Sequence, residues 1–252
     1  MALIKSGDFG DLSLAPKTGA PAELQPIDSF SMLAEAAREL PVEDVGFAKS
    51  PQPRGLALKR LHMGPGFQSF VKRLFHMSSK VYFLAWGWDL SGEKVQGDSP
   101  VFLYPGTVSP DDSTLIPMKG DQEREFLGEG VLLYPARRIT AGLSLRLQIW
   151  ESQSDMRRFG DTLQKVSDSI GKSELNNVLA GIAALAGVTT ATLALAEKAG
   201  LELASVIGGI LKTTSDDYVD YYEGYFPAST AWEPKEQSWA GADSEIVLSR
   251  FE

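Results

Sequence analysis

The clearest pattern of apolar and polar residues is the alternation in LSLRLQIWE, residues 143–151. Successive side chains of a strand point to opposite faces, so this segment predicts a strand with one aliphatic face. That face comprises Leu143, Leu145, Leu147 and Ile149, while Ser144, Arg146 and Gln148 take the other. We expect the aliphatic face to lie in a core.

Similar composition marks further strands on both sides of this segment. Aromatic and β-branched residues favour strands in KVYFLAWGWDL, VFLYPG and GVLLYPARRI before it, and in DDYVDYYEGYF and EIVLSRFE after it. Between these groups, residues 155–213 have helical patterning. The chain is therefore β-rich, then helical, then β-rich again.

The N-terminal third is less regular. Residues 1–27 predict an extended arm, and short helices are predicted in SFSMLAEAAREL and FQSFVKRLFHM. A looping stretch with Pro51, Pro53 and Pro65 lies between those helices. We divide the chain into an N-terminal arm with short helices, residues 1–78, and a β-sandwich, residues 79–252.

The order of elements predicts the fold class. A late strand such as IVLSRF needs a sheet to pair with, and the strand-rich region lies before the helices. We predict a mainly β, α+β protein: an antiparallel β-sandwich with residues 155–213 inserted as a helical hairpin or three-helix cap.

Within this insertion, LNNVLAGIAALAGVTTATLALA, residues 175–196, carries no charge. Its length is enough for a membrane span, but its Asn, Thr and Gly residues make insertion marginal. We favour a packed hairpin with LELASVIGGILK, turning at EKAG, where Gly200 ends the first helix. The apolar residues predicted to contact a membrane or a partner are Leu179, Ile182, Leu185, Leu193, Ile207 and Leu211.

Composition excludes several classes of function. A formal charge of −9 disfavours a nucleic-acid-binding surface, and the absence of cysteine excludes disulfides and thiolate metal sites. No G-x-S-x-G, H-E-x-x-H or P-loop motif occurs, so we predict no enzyme activity. The N-terminus lacks a secretory signal pattern, which predicts synthesis in the cytoplasm, with later release or membrane association left open.

Two segments carry a family resemblance. AWGWDLSGEKVQGDSPVFLYPG resembles the first strands of a C2 domain, the calcium- and phospholipid-binding β-sandwich, and LSLRLQIWE and SDDYVDYYEG are similar to its later strands. The resemblance implies that the helices occupy the third calcium-binding loop. It also implies calcium as a cofactor, with ligands Asp89, Asp98, Glu151 and Asp217.

Three functions follow as expectations. The first is a non-enzymatic, C2-like binding module that engages a membrane surface or a protein partner through its loops and inserted helices. The second is a membrane-inserting or pore-forming toxin component. The third is a structural subunit of a bacterial or phage assembly, in which the N-terminal arm orders on a neighbouring subunit.

Overall fold

The computed structural model describes residues 3–6, 49–65, 78–106, 114–152, 156–183, 190–213, 216–229, 232 and 235–252. The two short helices predicted in residues 29–40 and 67–77 lie outside these ranges. The strands are β1 (Leu3–Ser6), β2 (Arg54–Met63), β3 (Ser79–Asp89), β4 (Phe102–Tyr104), β5 (Ile116–Met118), β6 (Gln122–Glu125), β7 (Val131–Arg137), β8 (Gly142–Ser152), β9 (Asp217–Pro227), β10 (Glu236–Ala240) and β11 (Ser244–Phe251). The helices are α1 (Met156–Gly171), α2 (Glu174–Ala183) and α3 (Thr190–Lys212).

The described strands form two antiparallel sheets. The first has the order β1-β9-β8-β3-β4, with β5 also paired to β3, and the second has the order β10-β11-β2-β6, with β7 also paired to β2. The aliphatic row of β8 faces the second sheet, as its alternation predicts, and Leu56, Leu58 and Leu248 meet it from the other side. The prediction of a mainly antiparallel β protein with a few helices is confirmed.

Strand β2 corrects the interpretation of its region as a looping stretch. It is the partner of β11, β6 and β7, and it lies before residue 79, where the sequence placed the start of the sandwich. Pro51, Pro53 and Pro65 flank the strand without interrupting it, because a proline is tolerated where no ladder hydrogen bond is needed. The glycine at position 55 leaves room for the Phe251 ring, which would lie 2.5 Å from a Cβ there.

The helices are an insertion in the first sheet. Helices α1 to α3 lie in sequence between β8 and β9, which are hydrogen-bonded antiparallel neighbours with Glu151 opposite Asp217. The chain therefore leaves and rejoins the sheet at the same end.

These helices form a third layer on the outer face of the first sheet. That face is made by Tyr82, Leu84, Trp86 and Trp88 of β3, Trp150 of β8 and Tyr221 of β9. The helices bury Leu163, Val166, Ile170, Leu175, Val178, Leu179, Ile182, Ala196, Ala199, Leu203, Ala204, Ile207 and Leu211 against it. Because the sheet is covered on both faces, β3 and β8 are buried along almost their whole length.

The uncharged run is divided between two helices, since α2 ends at Ala183 and α3 begins at Thr190. The prediction that Gly200 ends a helix is wrong, because α3 continues through it to Lys212. A Cβ at Gly200 would lie 2.6 Å from the ring of Trp88. The glycine therefore provides the close approach of helix and sheet rather than a helix end.

A buried arginine joins α3 to the sheet beneath it. Arg146 has no solvent-exposed surface, and its guanidinium forms ion pairs with Glu197 of α3 and, at 3.0 Å, with Glu223 of β9. The same guanidinium lies 5.1 Å from the ring centre of Trp88, and Ser144 donates a hydrogen bond to Glu197. The polar face of β8 is thus matched to a carboxylate supplied by the helix.

The helices keep the tryptophan-rich face of the first sheet out of water. Burial of a large apolar side chain contributes roughly 1.5–3 kcal/mol, and all six side chains of that face are buried. The helical layer is therefore a constituent of the fold.

Replacement of Gly200 by alanine tests the close approach of α3. We expect Gly200→Ala to lower the free energy of unfolding by about 1–3 kcal/mol, because the new methyl group overlaps Trp88. Gly209→Ala in the same helix is the matched control, since nothing lies within 4 Å of its Cβ position. It should be neutral or stabilising by up to about 1 kcal/mol. Urea denaturation measures both, and equal effects at the two positions would contradict the packing.

Replacement of Arg146 by methionine tests the ionic junction. We expect Arg146→Met to lower the free energy of unfolding by about 3–5 kcal/mol, since two carboxylates lose their buried partner. Lys198→Met is the control on α3, because the ion pair that Lys198 forms among the described residues is a half-exposed one with Glu202 at 3.9 Å. This variant should change stability by less than about 1 kcal/mol. A loss of under 1 kcal/mol in Arg146→Met, measured by the same denaturation, would show that the junction is not stabilising.

Candidate functional site

Three of the four predicted calcium ligands lie on strands of the first sheet, at its two ends, and Asp98 lies in the loop between β3 and β4. Asp89 is opposite Leu143 in the β3–β8 pair, whereas Glu151 is opposite Val81 in that pair and opposite Asp217 in the β8–β9 pair. Leu143 and Glu151 are separated by roughly 26 Å at about 3.3 Å per residue of strand. The structure brings Glu151 and Asp217 together but places Asp89 far from both.

Asp89 is a buried link between the two sheets. Its carboxylate accepts hydrogen bonds from the Thr140 backbone N–H at 2.7 Å, the Ser91 hydroxyl at 2.8 Å and the Tyr134 hydroxyl at 3.1 Å. Tyr134 belongs to β7 of the second sheet. Burial raises the pKa of Asp89 above its ordinary value, and the Thr140 and Ser91 hydrogen bonds oppose that shift.

Asp98 has a different environment. Its side chain is exposed and pairs with Lys94, whose hydrogen bond and charge lower the pKa of the carboxyl group. Among the described residues, no group of three or more acidic or histidine side chains is arranged to hold a metal ion. Calcium binding stays a prediction from the family resemblance.

The predicted helix contacts face inward. Leu179, Ile182, Ile207 and Leu211 are buried against the sheet. Leu185 lies outside the described residues, as does the side chain of Leu193. In the part of the chain that the structure describes, no helix is long and apolar enough to span a membrane.

Sequence reasoning missed a pair of arginines between the two sheets. Arg54 continues the inward row of Leu56 and Leu58 on β2, and Arg250 continues the inward row that includes Leu248 on β11. Both are buried, with exposed fractions of 5% and 8%. The guanidinium carbon of Arg54 lies 5.2 Å from the ring centre of Trp232, and that of Arg250 lies 5.7 Å from that of Phe226.

These arginines line a pocket of about 600 Å³, which we call the arginine pocket. Its lining residues are Arg54, Glu129, Trp232, Lys235, Arg250, Phe251 and Glu252. The volume lies within the range of small-ligand pockets. Three cationic and two acidic side chains line it, so the pocket is richer in cationic side chains than the chain as a whole, which has 24 Lys and Arg against 33 Asp and Glu.

The pocket already holds a carboxylate. Glu252 Oε1 accepts a hydrogen bond from Arg54 Nη1 at 2.6 Å, and its side chain remains 57% exposed. Arg54 Nε and Trp232 Nε1 are buried and have no hydrogen-bond partner among the described residues. Buried N–H groups without an acceptor are rare in folded proteins, and they are donors that an anionic ligand can use.

A second pocket, of about 350 Å³, lies among the three helices. Its apolar lining comes from Ala199, Leu203 and Val206, and its charged lining residues, Asp168, Lys172, Glu174 and Glu202, are all exposed. The arginine pocket is the better candidate site because its two arginines are desolvated, which strengthens their attraction for an anion.

Asp89 is buried and Asp98 is exposed, and their opposite pKa shifts predict opposite effects of pH on stability. The folded state favours the protonated form of Asp89. The stability that this group contributes is therefore lost as pH rises through its folded pKa. Asp89→Asn does not titrate, so its stability relative to the wild type should increase as pH rises from about 4 to 7. For Asp98 the folded pKa is lowered, so the stabilisation is lost as pH falls, and Asp98→Asn should gain relative to the wild type in acid.

Urea denaturation in a chelating buffer across this pH range measures both differences. A pH-independent difference between Asp89→Asn and the wild type would show that burial does not control the Asp89 carboxyl group.

No family model, no curated protein and no solved structure matches the chain.

Proposed function

We propose that this protein is a non-catalytic binding module that captures a carboxylate group of its ligand in the arginine pocket. The observation that carries the proposal is the position of Arg54, which is buried at an open pocket and bonded to the half-exposed carboxylate of Glu252. The internal carboxylate indicates which chemistry the pocket accepts.

The energetics favour an anionic ligand. A guanidinium has five N–H donors in a planar fork, and Glu252 accepts a hydrogen bond from one of those of Arg54, Nη1. Hydrogen bonds to charged groups contribute roughly 1.5–3 kcal/mol each. A ligand carboxylate that displaces or joins Glu252 would also gain the attraction of Lys235 and Arg250, which line the same pocket.

The C2-like arrangement of the sandwich is part of this proposal. It is supported by the two antiparallel sheets and by the insertion between β8 and β9, where the resemblance places the third calcium-binding loop. C2-like sandwiches are binding modules, and a binding role is consistent with the absence of a catalytic motif in the sequence.

We propose a protein partner rather than a membrane surface. The apolar residues of the cap are directed at the sheet, and membrane insertion would first have to uncover the tryptophans beneath them. That step opposes the toxin hypothesis, because exposure of a large apolar side chain to water is unfavourable. Binding of a partner protein in this way is also consistent with the third hypothesis, a structural subunit of a larger assembly.

Calorimetric titration with glutarate, a small dicarboxylate, tests the proposal. Arg54→Met should weaken glutarate binding about ten- to hundredfold, because it removes the buried donor. Arg60→Met is the matched control on β2, since Arg60 is partly exposed and pairs with Glu123 at 3.4 Å; it should bind like the wild type.

Glu252→Gln provides a second test if Arg54→Met does not fold. It removes the competing carboxylate from Arg54 and should strengthen glutarate binding about threefold or more. Binding that is absent in the wild type, or unchanged in both pocket variants, would refute the proposed function.

A further inference from the structure

Strands β6 and β7 follow one another along the same edge of β2 and are separated by a bulge. Strand β6 ends opposite Arg60 and β7 begins opposite Leu58, so residues 126–130 between them have only Lys59 opposite them. A bulge bends its strand and re-aims side chains away from the sheet. We call residues 126–130 the Leu127 bulge.

The shape of the Leu127 bulge is fixed by its contacts. Lys59 Nζ donates a hydrogen bond to the Gly128 carbonyl at 2.8 Å, and the Gly130 N–H donates one to the Leu127 carbonyl at 3.1 Å. Gly130 has a φ of 103°, and a Cβ there would lie 2.3 Å from the Leu58 carbonyl oxygen. The bulge is therefore a preformed turn in which position 130 requires glycine.

The bulge presents an exposed leucine. Of the large apolar side chains that the structure describes, Leu127 is 94% exposed and Leu132 of β7 is 40% exposed. Val206 is also exposed, but it belongs to α3, and the first sheet lies between that helix and the second sheet. Because the backbone of the bulge is already ordered, contact between Leu127 and an apolar group of a partner costs little conformational entropy.

These leucines adjoin the arginine pocket. Glu129, which lines the pocket, belongs to the Leu127 bulge, and its carboxylate accepts a hydrogen bond from the Ser249 hydroxyl at 3.3 Å. Leu132 lies opposite Ala57, which lies opposite Ser249, so the three form one row across β7, β2 and β11. Adjacent strands are about 4.8 Å apart, which places the backbones of Leu132 and Ser249 roughly 10 Å apart. A short peptide segment can span that distance.

The surface suits a protein segment that carries an acidic and an apolar side chain. Arg54 is almost wholly buried, so a carboxylate reaches it by entering the pocket on a flexible side chain. Glu125, next to the bulge, is paired with Lys59 at 3.5 Å, which reduces its repulsion of an acidic partner. A flat lipid surface can touch Leu127 but does not reach into the pocket, which favours a protein as the occupant.

We propose that the partner protein binds through a segment in which an acidic residue lies within a few positions of a large apolar residue. The acidic side chain enters the arginine pocket, and the apolar side chain packs on Leu127 and Leu132. This inference rests on the proposed function, since the pocket must first accept a carboxylate. The pocket supplies the charge requirement, and the leucines select among the carboxylates that meet it.

The experiment uses hexapeptides of glycine and serine that contain one glutamate and one leucine, adjacent or up to four positions apart in either order. Both ends are capped, so the glutamate side chain is their carboxylate. In calorimetric titration, the best of them should bind about tenfold more tightly than the matched peptide with serine for leucine, because an apolar side chain is buried. Glutamine in place of glutamate should abolish binding.

Leu127→Ser tests the apolar contact without changing the pocket. It should reduce the preference for the leucine peptide to less than about threefold and leave glutarate binding unchanged. Val206→Ser is the matched control, since it removes an exposed apolar side chain on the helical layer, and it should keep the full preference. Both variants should unfold at the temperature of the wild type, because surface substitutions have small effects on stability.

The outcomes separate this inference from the proposed function. Glutarate binding with no preference for the leucine peptides, or with a preference that persists in Leu127→Ser, overturns the inference and leaves the pocket as a carboxylate site. Absence of glutarate binding overturns the proposed function and this inference with it.

Two further measurements test the other possible occupants of the leucine surface. Sedimentation velocity detects self-association, and flotation with phosphatidylserine vesicles detects lipid binding. Either behaviour, if present in the wild type and lost in Leu127→Ser, would assign the surface to a second copy of this chain or to a membrane and would overturn the inference. We expect the wild type to show neither.

Discussion

The three-layer structure depends on the burial of Arg146 beneath α3. The sheet face around Arg146 is rich in tryptophan and must be shielded from water. Because a guanidinium lies in the middle of that face, the helix that packs on it must supply a carboxylate. Glu197 meets that need from the helix and Glu223 meets it from the adjacent strand. The ionic junction thus fixes the position of α3 along the sheet, while the close approach at Gly200 fixes its distance.

Local patterns predicted what depends on near neighbours in the sequence. The alternation in β8 gave the strand and its core-facing row, and the order of elements gave the helical insertion. The ion pairs of the polar row of β8 could not be predicted, because the partners of Arg146 lie on α3 and β9. Gly200 has the sequence context of a helix end, and only its contact with Trp88 in the fold shows why a glycine is there. The prolines on either side of β2 favoured the prediction of a loop over that of a strand.

The arginine pocket could not be predicted either, because its residues come from segments that are distant in the sequence. Arg54 and Arg250 are isolated basic residues in the sequence, and neither segment alone shows that they lie together. Only the pairing of β2 with β11 brings them together, since Leu56 lies opposite Arg250 and Gly55 opposite Phe251. The signal available beforehand was that each arginine shares the parity of neighbouring core leucines, which indicates a cation at the margin of a core.

Glu151 lies opposite Asp217, so the inserted helices begin and end at neighbouring strands. A short hairpin turn between β8 and β9 would serve the same sheet topology, and the length of the insertion is therefore not constrained by the sheet. The tryptophan-rich face supplies the constraint instead, because without the helices Trp86, Trp88 and Trp150 would be exposed to water. The insertion is thus dispensable for strand connectivity but not for solvation of the sheet.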